Sequence, residues 1–311
     1  MTDKKNILVL QPLPGIGDLF WFDGACQSLS SFYKEPLTLM TKPQSHAQQI
    51  YKGIPYIKEV LWIDRPGSHS GFFGVIRLAL FLRKKKISDV WIFHKSWRYR
   101  WACKLAGITH IFSYEKQEKI LEKHPIQRVN LLLKKHRIPL LKDPKFFVSK
   151  EIKVRIEKKL VSHKKPWVAI GIGGTEPSKK WKAEHWENLA VWLFQVKKMS
   201  VFLLGGSLEK EEALQMVQHI QEKGGEAKAL TSFSLQESLS FLEEVQFFVG
   251  NDTGMMNGAV VLNKPTFSLF LSSPPLSYRS SLMPICPKEG NKDILLSQVQ
   301  EALNQFLESA K

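Results

Sequence analysis

Cysteine is scarce in this chain. Cys26, Cys103 and Cys286 lie far apart, and none belongs to a C-x-x-C pair. That excludes a disulfide framework and leaves no zinc-ligand spacing. Long apolar runs are missing as well, and none approaches the roughly 18 residues of a membrane-spanning helix. The first apolar run, Ile7-Leu8-Val9-Leu10, is too short for the core of a secretion signal, so the expected location is the cytoplasm. No D-x-D pair and no carboxylate cluster with metal-ligand spacing occurs. Neither a catalytic metal nor a cofactor is expected. Acidic residues run short in one half only. Residues 1–150 hold 26 Lys and Arg against 11 Asp and Glu, a balance of +15, while residues 151–311 hold 19 against 18. Such asymmetry points to an acidic partner that meets the first half: nucleic acid, an anionic membrane surface or a phosphorylated lipid.

What remains is an ordinary soluble composition, 43% apolar and 24% charged, in a chain long enough for two domains. Short apolar runs at 7–10, 37–40, 57–63, 89–93 and 108–112 read as strands separated by helical stretches, the longest ones at 19–29 and 72–86. The pattern returns after residue 166, with strands at 167–171, 201–206, 246–250 and 266–270. Helices fall at 184–196, 208–223, 235–244, 254–262 and 294–307. Residues 115–159 read as helical and basic, broken by Pro125, Pro139 and Pro144. Strand–helix alternation predicts an α/β protein with mainly parallel sheets. Lysines 158, 159, 164 and 165 with Pro166 mark an exposed linker. The predicted domains are 1–157 and 158–311.

The stretch Gly15-Ile16-Gly17-Asp18 joins the first strand to the first helix. In open α/β sheets ligands bind at such strand ends, and glycines there permit a tight turn and close approach. Asp18 is either a helix cap or a carboxylate presented to a ligand at this crevice. Asp23, further along the same helix, ranks well below it. In the second half, Gly173-Gly174-Thr175 offers unhindered backbone N–H groups to an anion. Lys179 and Lys180 supply charge, the alternative being a solvated pair beside a structural Trp181. Asp252-Thr253-Gly254 opens a helix and forms a second anion site. Past the strand at 89–93 come His94, Arg98 and Arg100, of which the arginines suit phosphates or carboxylates.

Several of these segments, in order along the chain, resemble the heptosyltransferase family of bacterial glycosyltransferases (glycosyltransferase family 9). The strand-Gly15-Ile16-Gly17-Asp18-helix opening is similar to its N-terminal motif. Lys179 to Trp186 is similar to its K-x-W-x-x-x-x-W element, and Asp252-Thr253-Gly254-Met255-Met256-Asn257-Gly258-Ala259 to D-T-G-x-x-H-x-A. Lys264-Pro265-Thr266 and Lys104-Leu105-Ala106-Gly107-Ile108 also fit. The chain departs from the family at Asn257, where His is usual, and at His94-Lys95-Ser96, where an acidic residue and Gln-Gly are common.

The resemblance implies the GT-B architecture: two Rossmann-like domains facing a central cleft, acceptor-binding in 1–157 and nucleotide-sugar-binding in 158–311. The family's last helix crosses back to the first domain. It implies an inverting, metal-independent transfer of heptose from ADP-heptose to a lipopolysaccharide core or related anionic glycolipid, in peripheral contact with the inner membrane. Asp18 would be the base. Gly174, Thr175, Lys179, Lys180, Glu237, Asp252, Thr253, Gly254 and Asn257 would bind the donor, and Gly15, Gly17, His94, Arg98 and Arg100 the acceptor, with no metal ligand. A different nucleotide-sugar donor, signalled by Asn257, is the first alternative. A basic nucleic-acid-binding protein, for which no recognition motif is present, and an inactive family member are the others.

Overall fold

Runs of four or five apolar residues become fully buried strands because helices cover both faces of a parallel sheet. The computed structural model describes residues 5–114, 124–174 and 176–309. It divides into two compact units, Met1–Phe146 and Phe147–Lys311. The division comes ahead of residue 157 because the helix Lys150–Lys159 packs on the helix Leu235–Glu244 of the second unit.

The first unit follows the order β1 (Ile7–Leu10), α1 (Ile16–Tyr33), β2 (Leu37–Thr41), α2 (Ala47–Ile50), β3 (Ile57–Trp62), α3 (Gly71–Lys84), β4 (Asp89–Ile92), α4 (Trp97–Leu105), β5 (His110–Ser113) and α5 (Pro125–Lys135). Its sheet has the order β3-β2-β1-β4-β5, with every pairing parallel. The chain builds outward from β1 to one edge, then restarts at β4 toward the other. β1 and β4 therefore flank the point where strand order reverses, and a crevice opens above their C-terminal ends. Right-handed crossovers put α3 and α4 side by side on one face. There Val75, Leu78, Leu82, Ala102 and Cys103 bury against Leu8, Leu10, Val90 and Ile92.

In the second unit α6 (Lys150–Lys159) precedes β6 (Trp167–Gly171), α7 (Ala183–Gln195), β7 (Ser200–Leu204), α8 (Lys210–Glu222), β8 (Ala227–Ala229), α9 (Leu235–Glu244), β9 (Phe247–Asn251), α10 (Gly254–Val261), β10 (Thr266–Leu269), β11 (Leu282–Ile285) and α11 (Leu296–Ser309). The sheet order is β11-β10-β9-β6-β7-β8, again all parallel. The reversal lies between β6 and β9. Both strands carry glycine near their ends because the Phe248 ring lies there: a Cβ on Gly171 would meet it at 2.3 Å and one on Gly250 at 2.7 Å. The last helix docks on this unit's own core, burying Val299 and Leu303 and setting Phe306 edge-on to Phe247 and Phe267. Burying each such side chain contributes about 1.5–3 kcal/mol.

Two strands, β8 and β11, fall outside the sequence expectation. β8 is three small or charged residues, and β11 carries Pro284, tolerated because this strand is a sheet edge. Among the described residues no helix is long and apolar enough to cross a membrane.

Candidate active site

At the first reversal point the chain leaves β1 and enters α1 through Gly15. The helix begins at Ile16, so Gly17 lies in its first turn and Gly15 alone is the cap. The backbone N–H of Gly15 donates to Asp18 Oδ2 at 2.8 Å. A Cβ on Gly15 would stand 2.8 Å from that same oxygen. Glycine thus lets the carboxylate fold back onto its own cap. Partial burial raises the Asp18 pKa, and the Gly15 hydrogen bond offsets only part of that rise. The carboxylate is thereby a better proton acceptor than a solvated one. Asp23 is wholly buried and committed elsewhere: Gln27 Nε2 donates to it at 2.7 Å, and the Tyr56 and Tyr51 hydroxyls at 2.8 and 3.2 Å.

His94 sits just past β4, across the reversal from Asp18. Its Nδ1 accepts the Ser96 N–H at 3.0 Å, and its ring meets Tyr99 edge-on. Burial, then the charges of Lys42, Arg65 and Lys95, push its pKa down to about 4. At neutral pH it is an uncharged imidazole ringed by cations. Lys42 follows β2, Arg65 follows β3 and Lys95 follows β4, so three of the five strands lead into a cation at the C-terminal edge of this sheet. The sequence alone brings out Lys95 beside His94 but not Lys42 or Arg65. The signal for those two is local: each comes within three residues after a strand, on the edge where parallel sheets bind. Arg98 uses its guanidinium on the backbone carbonyls of His69 and Gly71, the latter at 2.7 Å, tying the start of α4 to the start of α3. Arg100 is exposed on α4.

The second reversal point is organised by a residue that sequence reading left out of the site. Asn251, wholly buried at the end of β9, donates Nδ2 to the carbonyls of Ile172 and Gly173, both at 3.1 Å. Its Oδ1 accepts the Trp181 N–H at 3.0 Å. One amide fixes the glycine loop after β6 to the segment that carries the lysines. A Cβ on Gly173 would find its nearest neighbour at 3.9 Å, so glycine here leaves the approach open. Gly174 lies against the Lys180 stem, and Thr175 lies outside the described residues. Trp181 is buried, bonded through Nε1 to the Ile294 carbonyl at 2.7 Å and edge-on to Trp186.

The two lysines diverge. Lys179 Nζ stands 3.2 Å from Glu176 and 3.9 Å from Asp252, on the β9 side of the reversal. Lys180 Nζ turns to Glu212 at 3.4 Å and Glu209 at 3.7 Å, at the start of α8. Asp252 accepts the Ser273 hydroxyl at 2.7 Å. Thr253 caps α10, its Oγ1 accepting the Met256 N–H at 3.5 Å, and Gly254 is the first helical residue. Asn257 is buried. Its Nδ2 donates to the Thr253 carbonyl at 3.1 Å and its Oδ1 accepts the Tyr278 hydroxyl. Glu237 lies apart in α9. It forms a capping box with Ser234 and faces Arg155 and Lys159 of α6 at 3.6 and 3.7 Å. Burial raises its pKa, but the Ser234 bonds and the two cations outweigh this and hold it low. Among the described residues no group of three or more His, Cys, Asp or Glu could hold a metal.

Residues 90–306 match the model of glycosyltransferase family 9 (heptosyltransferase). No curated protein matches the chain by sequence. Among solved structures, the glycosyl transferase family 9 protein of Veillonella parvula is 18% identical, with a TM-score of 0.79 and 99% of each chain covered. The E. coli ADP-heptose lps heptosyltransferase II is 19% identical, with a TM-score of 0.75 over 98% of this chain and 99% of that one. E. coli heptosyltransferase WaaC with ADP is 16% identical, with a TM-score of 0.72 over 98% and 100%. These likenesses show the fold, the GT-B kind with two Rossmann-like parallel sheets. Since the family model spans well over half its residues, the chain belongs to glycosyltransferase family 9, the heptosyltransferase family.

Proposed function

We propose that this glycosyltransferase moves heptose from ADP-heptose to a lipopolysaccharide core or related anionic glycolipid, with inversion and without a metal, in peripheral contact with the inner face of the cytoplasmic membrane. The observation that carries the reading is Asp18, a carboxylate at a sheet reversal point whose pKa is raised by burial while Gly15 holds its orientation. In this reaction Asp18 accepts the proton of the acceptor hydroxyl as that oxygen bonds to the anomeric carbon. The bond from the same carbon to the donor diphosphate breaks, and its electron pair leaves with the nucleoside diphosphate.

Lys179 neutralises the departing charge, moving from Glu176 to the phosphates. The N–H groups of Gly174 and Gly254 assist, with Thr175 and Thr253 beside them. Asp252 and Asn257 contact the sugar or orient the loop, and Lys180 shapes the far side. Lys42, Arg65, Lys95 and Arg100 attract the acceptor's phosphates and carboxylates, Arg98 steadies that wall, and Gly15 and Gly17 leave room for the acceptor. Glu237 reads better as a cap than as a ribose contact. Support for the donor comes from the neighbours: one is an ADP-heptose enzyme and another was captured with ADP.

A second reading, another nucleotide-sugar donor on the same machinery, is favoured by Asn257 in place of the usual His. Nucleotide release should be measured over ADP-, UDP- and GDP-sugars with and without a glycolipid acceptor. Release with ADP-heptose that needs the acceptor and vanishes in Asp18→Ala supports the first reading. Release from another donor supports the second. No turnover of any donor, with tight salt-sensitive nucleic-acid binding, would sink both.

A further inference from the structure

The first unit carries an apolar surface that its own core does not use. On α3, Phe72 and Phe73 are 76% and 71% exposed, with Ile76 and Leu80 beyond them. At roughly 100° per residue these four span only about 100° of the helix, opposite the buried Val75, Leu78 and Leu82. On α4, Trp97, Trp101 and Leu105 are each more than half exposed and follow one another at i, i+4 and i+8. The two helices pack side by side and run the same way, and Arg98 of α4 bonds the Gly71 carbonyl at the start of α3. Two aromatic-headed stripes thus begin at one end of one surface.

Charge says what covers them. Between Arg65 and Tyr114 the sequence holds ten Lys and Arg and a single acid, Asp89. Asp89 is buried against Lys5 and Tyr33 and presents no charge outward. Arg83 and Lys84 close the α3 stripe, and Arg100 and Lys104 flank the α4 stripe, all exposed. Exposed Trp and Phe beside Lys and Arg, with no acid on either helix, match the interface of an anionic bilayer. There aromatic rings sit at headgroup depth and cations meet the phosphates.

We propose that the outer faces of α3 and α4 are a membrane-docking surface that inserts Phe72, Phe73, Trp97 and Trp101 into an anionic bilayer. Both helices start at the C-terminal edge of the sheet, the edge that also carries Asp18 and His94. A docked unit would hold its acceptor edge close to the lipid surface. The purpose, though not the test, rests on the glycolipid reading above.

The test is co-sedimentation of the full chain at physiological salt. One set of vesicles is phosphatidylcholine and the other contains about one-third phosphatidylglycerol. Neither contains a sugar acceptor, so a failure of the proposed reaction leaves the result intact. The wild type should sediment with the anionic vesicles and much less with the neutral ones. The pairs Phe72→Ser/Phe73→Ser and Trp97→Ser/Trp101→Ser should each lose at least about tenfold in partitioning at unchanged thermal stability. Arg83→Glu/Lys84→Glu should lose the preference for anionic lipid. A wild type that stays in solution, or double variants that sediment like it, would overturn the proposal. So would self-association in ultracentrifugation that the Trp pair abolishes, without vesicle binding, because the surface would then fit a second copy.

Discussion

Asn251 and Trp181 are joined by a buried hydrogen bond, the Trp181 N–H to Asn251 Oδ1 at 3.0 Å, while the other end of the same amide holds the Ile172 and Gly173 carbonyls. The bond ties strand β9 to the segment that follows the glycine loop. Replacing Asn251 with Ala leaves one N–H and two carbonyls without that partner in a buried site. The expected cost is about 1–3 kcal/mol of stability, read as a lower Tm. ADP should also stabilise N251A less than it stabilises the wild type, because the loop that would cradle its phosphates is no longer pinned. An unchanged Tm would show that the amide is dispensable.

Asp18 should separate activity from stability. Its folded pKa is raised above the unfolded value, so its contribution to stability is fully present below about 3.8 and lost as pH rises through the folded pKa. At pH 7 the ionised carboxylate is a cost to the fold. Asp18→Asn should therefore match or exceed the wild-type Tm at pH 7 while lowering kcat by about 10² to 10⁴. Loss of both together would make Asp18 a structural cap. Gly15→Ala tests the same contact from the other side: a methyl beside Oδ2 displaces the carboxylate, and kcat should fall while helix α1 persists.

Lys179 and Lys180 are adjacent in sequence, yet they point to different carboxylates. Only Lys179 reaches Asp252 at the reversal between β6 and β9. Lys179→Ala should lower kcat/KM by about 10² to 10³, and Lys180→Ala by about tenfold or less. Equal losses, or a larger loss at 180, would reverse the assignment. Arg at 179 should restore charge but only part of the rate.

These residues show what the sequence made legible. The glycine loops, both lysines, Asp18 and the Asp252 turn were readable because each follows an unmistakable apolar strand, and strand ends are where a parallel sheet binds. Asn251 escapes the sequence because it falls between a strand expected to end at Gly250 and a motif that begins at Asp252, and only the fold shows its amide facing two carbonyls of another loop. Lys42 and Arg65 were invisible as a group: residues far apart in sequence converge only once the order β3-β2-β1-β4 is known. The start of α1 was read too late because glycine hides helix propensity, which put Gly17 in a turn when it lies in the helix.

His94 supplies a pH test independent of turnover. Its folded pKa, about 4, is far below the ordinary 6.5, first because it is buried and then because Lys42, Arg65 and Lys95 surround it. A depressed histidine contributes stability that is present above 6.5 and lost as pH falls through 4. Charging it would put a fourth cation among three and require the ring, whose Nδ1 accepts the Ser96 N–H, to give up that bond. The NMR titration of His94 should therefore midpoint near 4. His94→Gln should flatten the loss of urea stability between pH 6.5 and 4 relative to the wild type. If a phosphorylated acceptor settles among these cations, it offsets their repulsion, and the midpoint should move upward on addition of inorganic phosphate. A midpoint near 6.5 in the free protein would mean that the basic edge does not act on this ring.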